Sequence, residues 1–525
     1  MNSSSQELST QIPKDNKQEV TESQKPEYLG PSQLLEMTVP QGKYQYKLLL
    51  YFCTVGFLMA SINYMLPFVF YSPKFACKDS DGSTTLCTEE DACASALGFV
   101  TVSDKYSVVD HFQLYCENHG LAIWGKSFIF TFSSLITMFI VILSDYWGRV
   151  MIFYASWLAS ILGILICNFS QTYYFMIIGL GLLKASCYSF MSGVYVYSNE
   201  ITCGKMQNSF NGFMFISAAT GGVLFNFANI WIFDFYTIIY IQSITLGLWG
   251  IGCWALVESP HFLYKEKNFE QLKTTLLYLL NFNMDDEKEN LKDKQIELSY
   301  EISRLSNNMR KLPPSDIETS LSIMQKISTM PSRLEKLRIY MKIACITLIV
   351  ANLYISDGIL TLIPQEMGID NIYLNGALLS FSEMAGYLSL VFVAHKIKRR
   401  LLNIIICLSI ITISLVAFLI AMLDARTTIT GKLMESSLSI FLKLAICMNF
   451  VLVFNYTAEL FDMNQKGLAL GLAIFAGRTA MGAGSLLIEW AHSYDVHPVS
   501  ASMFGTLLVL PLAMYLPETR NNLIH

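Results

Sequence analysis

Twelve stretches of about 20 mostly apolar residues run through the chain, each of the length that carries a helix across a bilayer core about 30 Å thick. They fall at 47–70, 121–143, 150–168, 173–196, 208–229, 236–256, 340–363, 372–394, 401–423, 437–456, 467–489 and 499–516. The fold class that follows is an all-α membrane protein. The stretches split six and six around a charged segment, 259–338, which holds 13 Lys and Arg and has helical apolar spacing at 269–281. The expected organisation is a disordered cytosolic tail over 1–45, a six-helix bundle over 46–258 with an extracellular loop at 71–120, a cytosolic amphipathic linker over 259–338, a second six-helix bundle over 339–516, and a cytosolic tail over 517–525.

Composition agrees. The 525 residues are 53% hydrophobic and 15% charged, with a mean hydropathy of +0.42. That leaves too little charge to cover a water-soluble surface of this size. A net charge of −5 with no dominant sign argues against a nucleic-acid partner. The positive-inside rule orients the helices: the linker, the stretch His395–Arg400 (HKIKRR) and the Arg149 turn are basic and belong on the cytosolic side, with both termini. The 71–120 loop is acidic and faces outward. It gathers Cys77, Cys87, Cys93 and Cys116, which suit disulfides on an oxidising side and allow three pairings; the remaining eight cysteines lie in apolar runs as small hydrophobes.

Gly120–Ser127 (GLAIWGKS) matches the phosphate-loop pattern, yet it opens an apolar helix and follows no strand, so the match does not imply nucleotide binding. No nucleophile–base set or metal spacing stands out, so an enzyme is not expected, and neither a cofactor nor a metal.

The turn Ser144-Asp145-Tyr146-Trp147-Gly148-Arg149 joins the second and third stretches, and HKIKRR is its counterpart between the eighth and ninth. Asp145, Gly148 and Arg149 resemble the signature turn of the major facilitator superfamily. Further segments resemble one branch of it, the organic cation, carnitine and organic anion transporters. These are Asp110–Cys116 (DHFQLYC), Glu200 at the end of the fourth stretch, Glu258-Ser259-Pro260-His261-Phe262-Leu263, Asn371-Ile372-Tyr373-Leu374-Asn375, Tyr456-Thr457-Ala458-Glu459-Leu460 and Leu516-Pro517-Glu518-Thr519. The resemblance runs from about Tyr46 to Thr519. Tyr146, Val150, Leu180 and His261 stand where the branch carries basic residues, and His395 where it carries Asp, which implies a thinned charge network on the inner face.

The resemblance implies the major facilitator fold, twelve transmembrane helices in two bundles, with a central cavity and alternating access. It implies gating roles for Asp145, Gly148, Arg149, Glu200, Glu258, Arg399, Arg400 and Glu459. The expected partners are a small organic ion as substrate, a coupling proton or cation, and a lipid bilayer, that of the plasma membrane or alternatively a vacuolar or other internal membrane. The protein is expected to act as a monomer.

Charges within apolar stretches are costly and mark function. Asp357, Glu383, Lys443 and Arg478 are the candidates, with Lys126 and Lys184 behind them; Tyr354 and Tyr387 are candidate cavity aromatics. Asp357, Glu383, Tyr354, Tyr387 and Arg478 are read as substrate-binding. Arg478 lies among small residues (Phe475-Ala476-Gly477-Arg478-Thr479-Ala480), with room expected beside the guanidinium. Its planar fork suits a carboxylate, and in the resembled branch Arg at this position goes with anion and carnitine carriers. Asp357 and Glu383 pull toward an amine. Together they favour an organic anion or a zwitterion such as carnitine over an organic cation. The alternatives are a sugar or inorganic ion facilitator, or a non-transporting receptor or assembly subunit of the same fold.

Overall fold

The computed structural model describes residues 30–38, 42–78, 84–95, 98–102, 105–232, 234–284, 288–311, 333–362, 371–393, 396–422, 429–461, 463–493 and 499–519. The apolar stretches form α1 (Lys43–Tyr64), α2 (His119–Trp147), α3 (Val150–Phe169), α4 (Tyr173–Ile201), α5 (Gly204–Ala228), α6 (Phe235–Cys253), α7 (Arg333–Leu362), α8 (Ile372–Val393), α9 (Arg399–Met422), α10 (Ile429–Leu460), α11 (Met463–Ser493) and α12 (Val499–Tyr515). Among the described residues, eleven helices are long and apolar enough to cross a membrane; α12 is a shorter apolar helix of 17 residues. Several long helices carry no side-chain cap at their first turn, because the next turn of chain or a neighbouring helix supplies the partner instead.

The two halves repeat one packing plan. In the first, α1 packs on α5 and α6, α2 on α4, α3 on α4 and α6. In the second, α7 packs on α11 and α12, α8 on α10, α9 on α10 and α12, which is the same set of pairs displaced by six helices. The halves meet along α2 with α11 and α5 with α8. Small residues set the closest approaches. A Cβ on Gly163 of α3 would stand 2.9 Å from the Gly179 carbonyl oxygen of α4, so this crossing requires glycine. Behind it Phe52 stacks on Phe153 at 5.3 Å and meets Phe190 and Tyr197 edge-on, filling the first bundle.

The outer surfaces of the helices are apolar: Ile251 is 75% exposed, Phe392 66% and Leu508 78%. A ring of such residues is unstable against water and natural against hydrocarbon.

Between α1 and α2 the chain forms a small antiparallel sheet, with β1 (Lys74–Lys78) central between β2 (Thr84–Cys87) and β3 (Phe99–Val102). Of the three possible pairings the structure takes Cys77–Cys87, which ties β1 to β2, and Cys93–Cys116, which ties the short helix Glu89–Ala94, packed on β1, to the turn Cys116–Asn118 that leads into α2. On the opposite face the linker forms helices Pro260–Lys265, Phe269–Asn283 and Lys288–Lys311. Leu272, Leu276, Leu279 and Leu280 lie on one side of the second of these and are fully buried, so it is packed rather than floating.

One expectation changes, and one is met. The span expected to be a disordered tail holds structure at 30–38 and from Gly42: a short helix, Pro31–Glu36, buries Leu34 and Leu35 completely and packs on Pro260–Lys265. Two adjacent leucines after a proline are enough to dock a turn, and the polar composition around them concealed it. Residues 120–127 are helical, the opening turns of α2, and a Cβ on Gly125 would strike the Tyr173 hydroxyl; the glycine serves helix packing, not phosphate. His395 lies outside the described residues.

Protease fragments of the unreduced protein should contain Cys77 joined to Cys87 and Cys93 joined to Cys116. Recovery of the four as free thiols by mass mapping would remove the sheet's covalent frame.

Candidate functional site

A cavity of about 140 Å³ lies between the two bundles at mid-height. That is near the size of a void that holds a benzene, so in this conformation the space suits a small solute or one part of a larger one. Helices α1, α2, α4 and α5 of the first bundle and α7, α8, α10 and α11 of the second wall it. On the linker side an aromatic floor closes it: Tyr195 stacks on Phe454 at 5.3 Å, Phe215 leans on Tyr387 at 5.3 Å, and Phe450 meets Phe454 at 4.9 Å. On the sheet side Phe68 stacks on Tyr373 at 5.7 Å, and Asn226 donates to Ser380 Oγ at 3.1 Å, both pairs crossing from one bundle to the other.

Three cations and two acids lie in or against this wall. Lys443 of α10 is fully buried, and its Nζ sits 2.5 Å from Asp357 Oδ1 of α7 and 2.7 Å from Glu383 Oε1 of α8. The second Glu383 oxygen accepts the Tyr64 hydroxyl from α1. Lys184 of α4 is equally buried and donates to the Asn63 carbonyl oxygen at 2.6 Å. Arg478 lies midway along α11. Its guanidinium carbon stands 3.6 Å from the ring centre of Tyr188 on α4 and 4.3 Å from that of Tyr354 on α7. Its Nη1 reaches only the Met481 sulfur, at 3.8 Å, and its buried Nε has no hydrogen-bond partner. Among the described residues no carboxylate forms an ion pair with it.

The sequence-derived candidates are therefore sorted by the fold. Tyr354, Tyr387, Asp357, Glu383 and Arg478 all line one cavity. Two readings are corrected. The room expected beside Arg478 is filled by two tyrosine rings from different bundles. The two acids are already held by an amine of this chain. Lys126 is away from the cavity, 5.7 Å from the Phe70 ring. Tyr64 and Tyr188 were not singled out; Tyr188 follows Lys184 by one helical turn, and that spacing was the available signal.

A metal has little claim on the site. Asp357, Glu383 and Cys447 bring ligand atoms within 4.8 Å of one another, but the Lys443 ammonium already occupies the acids and would repel a cation.

The linker face of each bundle carries the same lock. In the first, Arg149 pairs with Asp145 at 2.5 Å and Glu200 at 3.1 Å, and the Ser259 hydroxyl donates to Glu200 at 2.7 Å. Glu258 accepts the backbone N–H of Arg149 at 2.8 Å and of Val150 at 3.3 Å. Burial pushes the Glu258 carboxyl up, while those N–H donors draw it down. In the second, Arg399 pairs with Glu459 at 3.1 Å, the Thr519 hydroxyl donates to Glu459 at 2.7 Å, and Glu518 accepts the backbone N–H of Arg399 at 3.0 Å and of Arg400 at 3.2 Å. Gly148 has φ 106°, and a Cβ there would lie 2.3 Å from Glu258 Oε2, so no other residue fits this turn. Asp145 also abuts the start of α11 across the bundle interface, where a Cβ on Gly467 would come within 2.0 Å of its Oδ2.

The Major Facilitator Superfamily model matches residues 118–485. Three solved structures are similar in fold. The proton:xylose symporter XylE bound to 6-bromo-6-deoxy-D-glucose is 13% identical with a TM-score of 0.59, over 94% of this chain and 97% of that one. The partially occluded inward-open xylose transporter XylE of E. coli is 12% identical with a TM-score of 0.58, over 91% and 99%. A D-xylose-proton symporter is 14% identical with a TM-score of 0.53, over 91% and 99%. Among curated proteins no significant match is found.

Arg149→Met should lower the thermal midpoint of purified protein sharply, because removing one partner of a buried ion pair costs about 3–5 kcal/mol. Asp145→Asn should keep the fold and reduce the maximal transport rate more than solute affinity, since the group lies at the linker face, outside the cavity. Uptake kinetics in vesicles check this, and a large affinity loss at unchanged rate contradicts it.

Proposed function

This chain belongs to the major facilitator superfamily, whose members are transporters and not enzymes, and we propose that it carries a small organic anion or zwitterion by alternating access. The observation that carries the reading is the charge state of the cavity wall. Lys443, behind the wall, engages both Asp357 and Glu383, so Arg478 on the wall faces aromatic rings with no carboxylate partner among the described residues. A guanidinium held between two rings keeps its N–H fork available, and a carboxylate meets that fork with two parallel hydrogen bonds. The neighbouring aromatic floor suits an apolar or aromatic body on the same solute.

The segments resembling the organic cation, carnitine and organic anion transporters support placing the chain in that branch. The basic linker and the Arg149 turn support a cytosolic linker face with both termini, an outward-facing sheet with its disulfides, and a plasma-membrane location. The locks around Arg149 and Arg399 would hold the linker face shut while the solute enters from the other side, with the bundles rocking along α2–α11 and α5–α8. A coupling proton or cation would supply the driving force. The protein would work as a monomer, each bundle pair enclosing one cavity. A sugar carrier is less favoured, because a neutral solute leaves the guanidinium uncompensated.

Proteoliposomes offered labelled aromatic and aliphatic carboxylates, carnitine and xylose should accumulate a carboxylate or carnitine and not xylose. Arg478→Lys keeps the charge and loses the fork, so affinity should fall about tenfold, the order of one good charge-assisted hydrogen bond, while some transport survives. Carboxylate transport by Arg478→Ala equal to the parent's would make the residue structural and end the anion reading.

A further inference from the structure

The acids at the cavity raise a separate question. Asp357 and Glu383 line the cavity from α7 and α8, whereas Lys443 is not part of the lining. The lysine enters between the carboxylates from behind, on α10, with no exposed surface, and its Nζ touches both at 2.5 and 2.7 Å. Tyr64, from the other bundle, donates to the remaining Glu383 oxygen. A structural pair needs only one acid per base and no cavity beside it, whereas here two acids share one base and face the solute cavity. Two carboxylates, a phenol and nearby rings at Tyr387 and Phe215 form the surroundings that hold an organic ammonium ion.

We infer that Asp357, Glu383 and Tyr64 form a binding site for primary organic ammonium ions, and that Lys443 is its built-in occupant. The lysine is then a specificity-determining residue. It engages both acids without adding a solute, so an external amine finds the carboxylates already occupied, while an anion at Arg478 meets less uncompensated negative charge. This deepens the anion reading above by naming what shuts cations out. The site itself stands without that reading, because ammonium binding is measured apart from transport.

The test is replacement of the tethered amine by a free one. Lys443→Ala removes the atoms of n-propylammonium. In purified Lys443→Ala the thermal midpoint should rise by about 2 °C or more in n-propylammonium chloride at concentrations well above its Kd. It should not rise with n-propanol, and the parent should respond to neither. Proteoliposomes carrying Lys443→Ala should take up labelled phenethylammonium at least tenfold above the parent. If Lys443→Ala does not fold, Lys443→Ala combined with Glu383→Gln leaves one acid and should fold and bind n-propylammonium more weakly. Adding Asp357→Asn leaves none and should abolish the response. A folded Lys443→Ala or double variant that ignores n-propylammonium, or a triple variant that responds as strongly as the double, overturns the inference. Failure of the parent to carry carboxylates would sink the anion proposal alone, since the n-propylammonium response does not depend on it.

Discussion

Hydrocarbon offers no hydrogen bonds, and each unmet polar group within it costs several kcal/mol. Everything in this fold answers to that constraint. Backbone groups are satisfied inside helices, and side-chain charge survives only where a partner waits. Arg149 has Asp145 and Glu200, Arg399 has Glu459, Lys443 has Asp357 and Glu383, and Lys184 has a carbonyl. Arg478 departs from the rule, having aromatic faces instead of an oxygen.

The doubled plan of the locks has a mechanical meaning. In each half an Arg–Glu pair joins the start of one helix to the end of another, a second Glu caps the backbone of that Arg, and a hydroxyl from the next residue steadies the paired Glu. Each lock therefore stiffens its own bundle. What joins bundle to bundle at that face is lighter: the Asp145 carboxylate against the Gly467 turn, and the aromatic floor above it. Rigid halves with a soft seam move as bodies, and the small-residue contact at Gly467 lets the seam part without breaking a buried pair.

The helices were legible because a span of hydrocarbon demands an unbroken apolar length, and each expected stretch coincides with a helix of the fold. The motif residues at Asp145, Arg149, Glu200 and Glu258 were legible as types, and the fold supplies how they touch. Partnership inside the cavity was not legible. Asp357, Glu383 and Lys443 lie on three helices, and nothing along the chain reports how those helices are rotated against one another. The expectation of open space beside Arg478 failed for the same reason: its sequence neighbours are small, but the rings that fill the space come from α4 and α7. The helix at Pro31–Glu36 was hidden by averaging, since two leucines among polar residues barely move a composition.

The two rings around Arg478 also connect binding to movement. Tyr354 is on α7, in the same bundle as Arg478, and stays with it whichever way the halves rock. Tyr188 is on α4, in the opposite bundle. When the halves separate on either side, the distance from Tyr188 to the guanidinium changes while that from Tyr354 does not. A desolvated cation–π contact is worth up to about 2 kcal/mol, so the state that loses Tyr188 leaves the guanidinium poorer by that order. On the proposed anion reading, a carboxylate bound at the fork would compensate for that loss more in the open state than in the closed one. A ligand moves an equilibrium only through such a difference between states. On the proposed anion reading, the position of Tyr188 would give the solute a handle on the rocking itself, which a guanidinium paired within its own bundle would not provide.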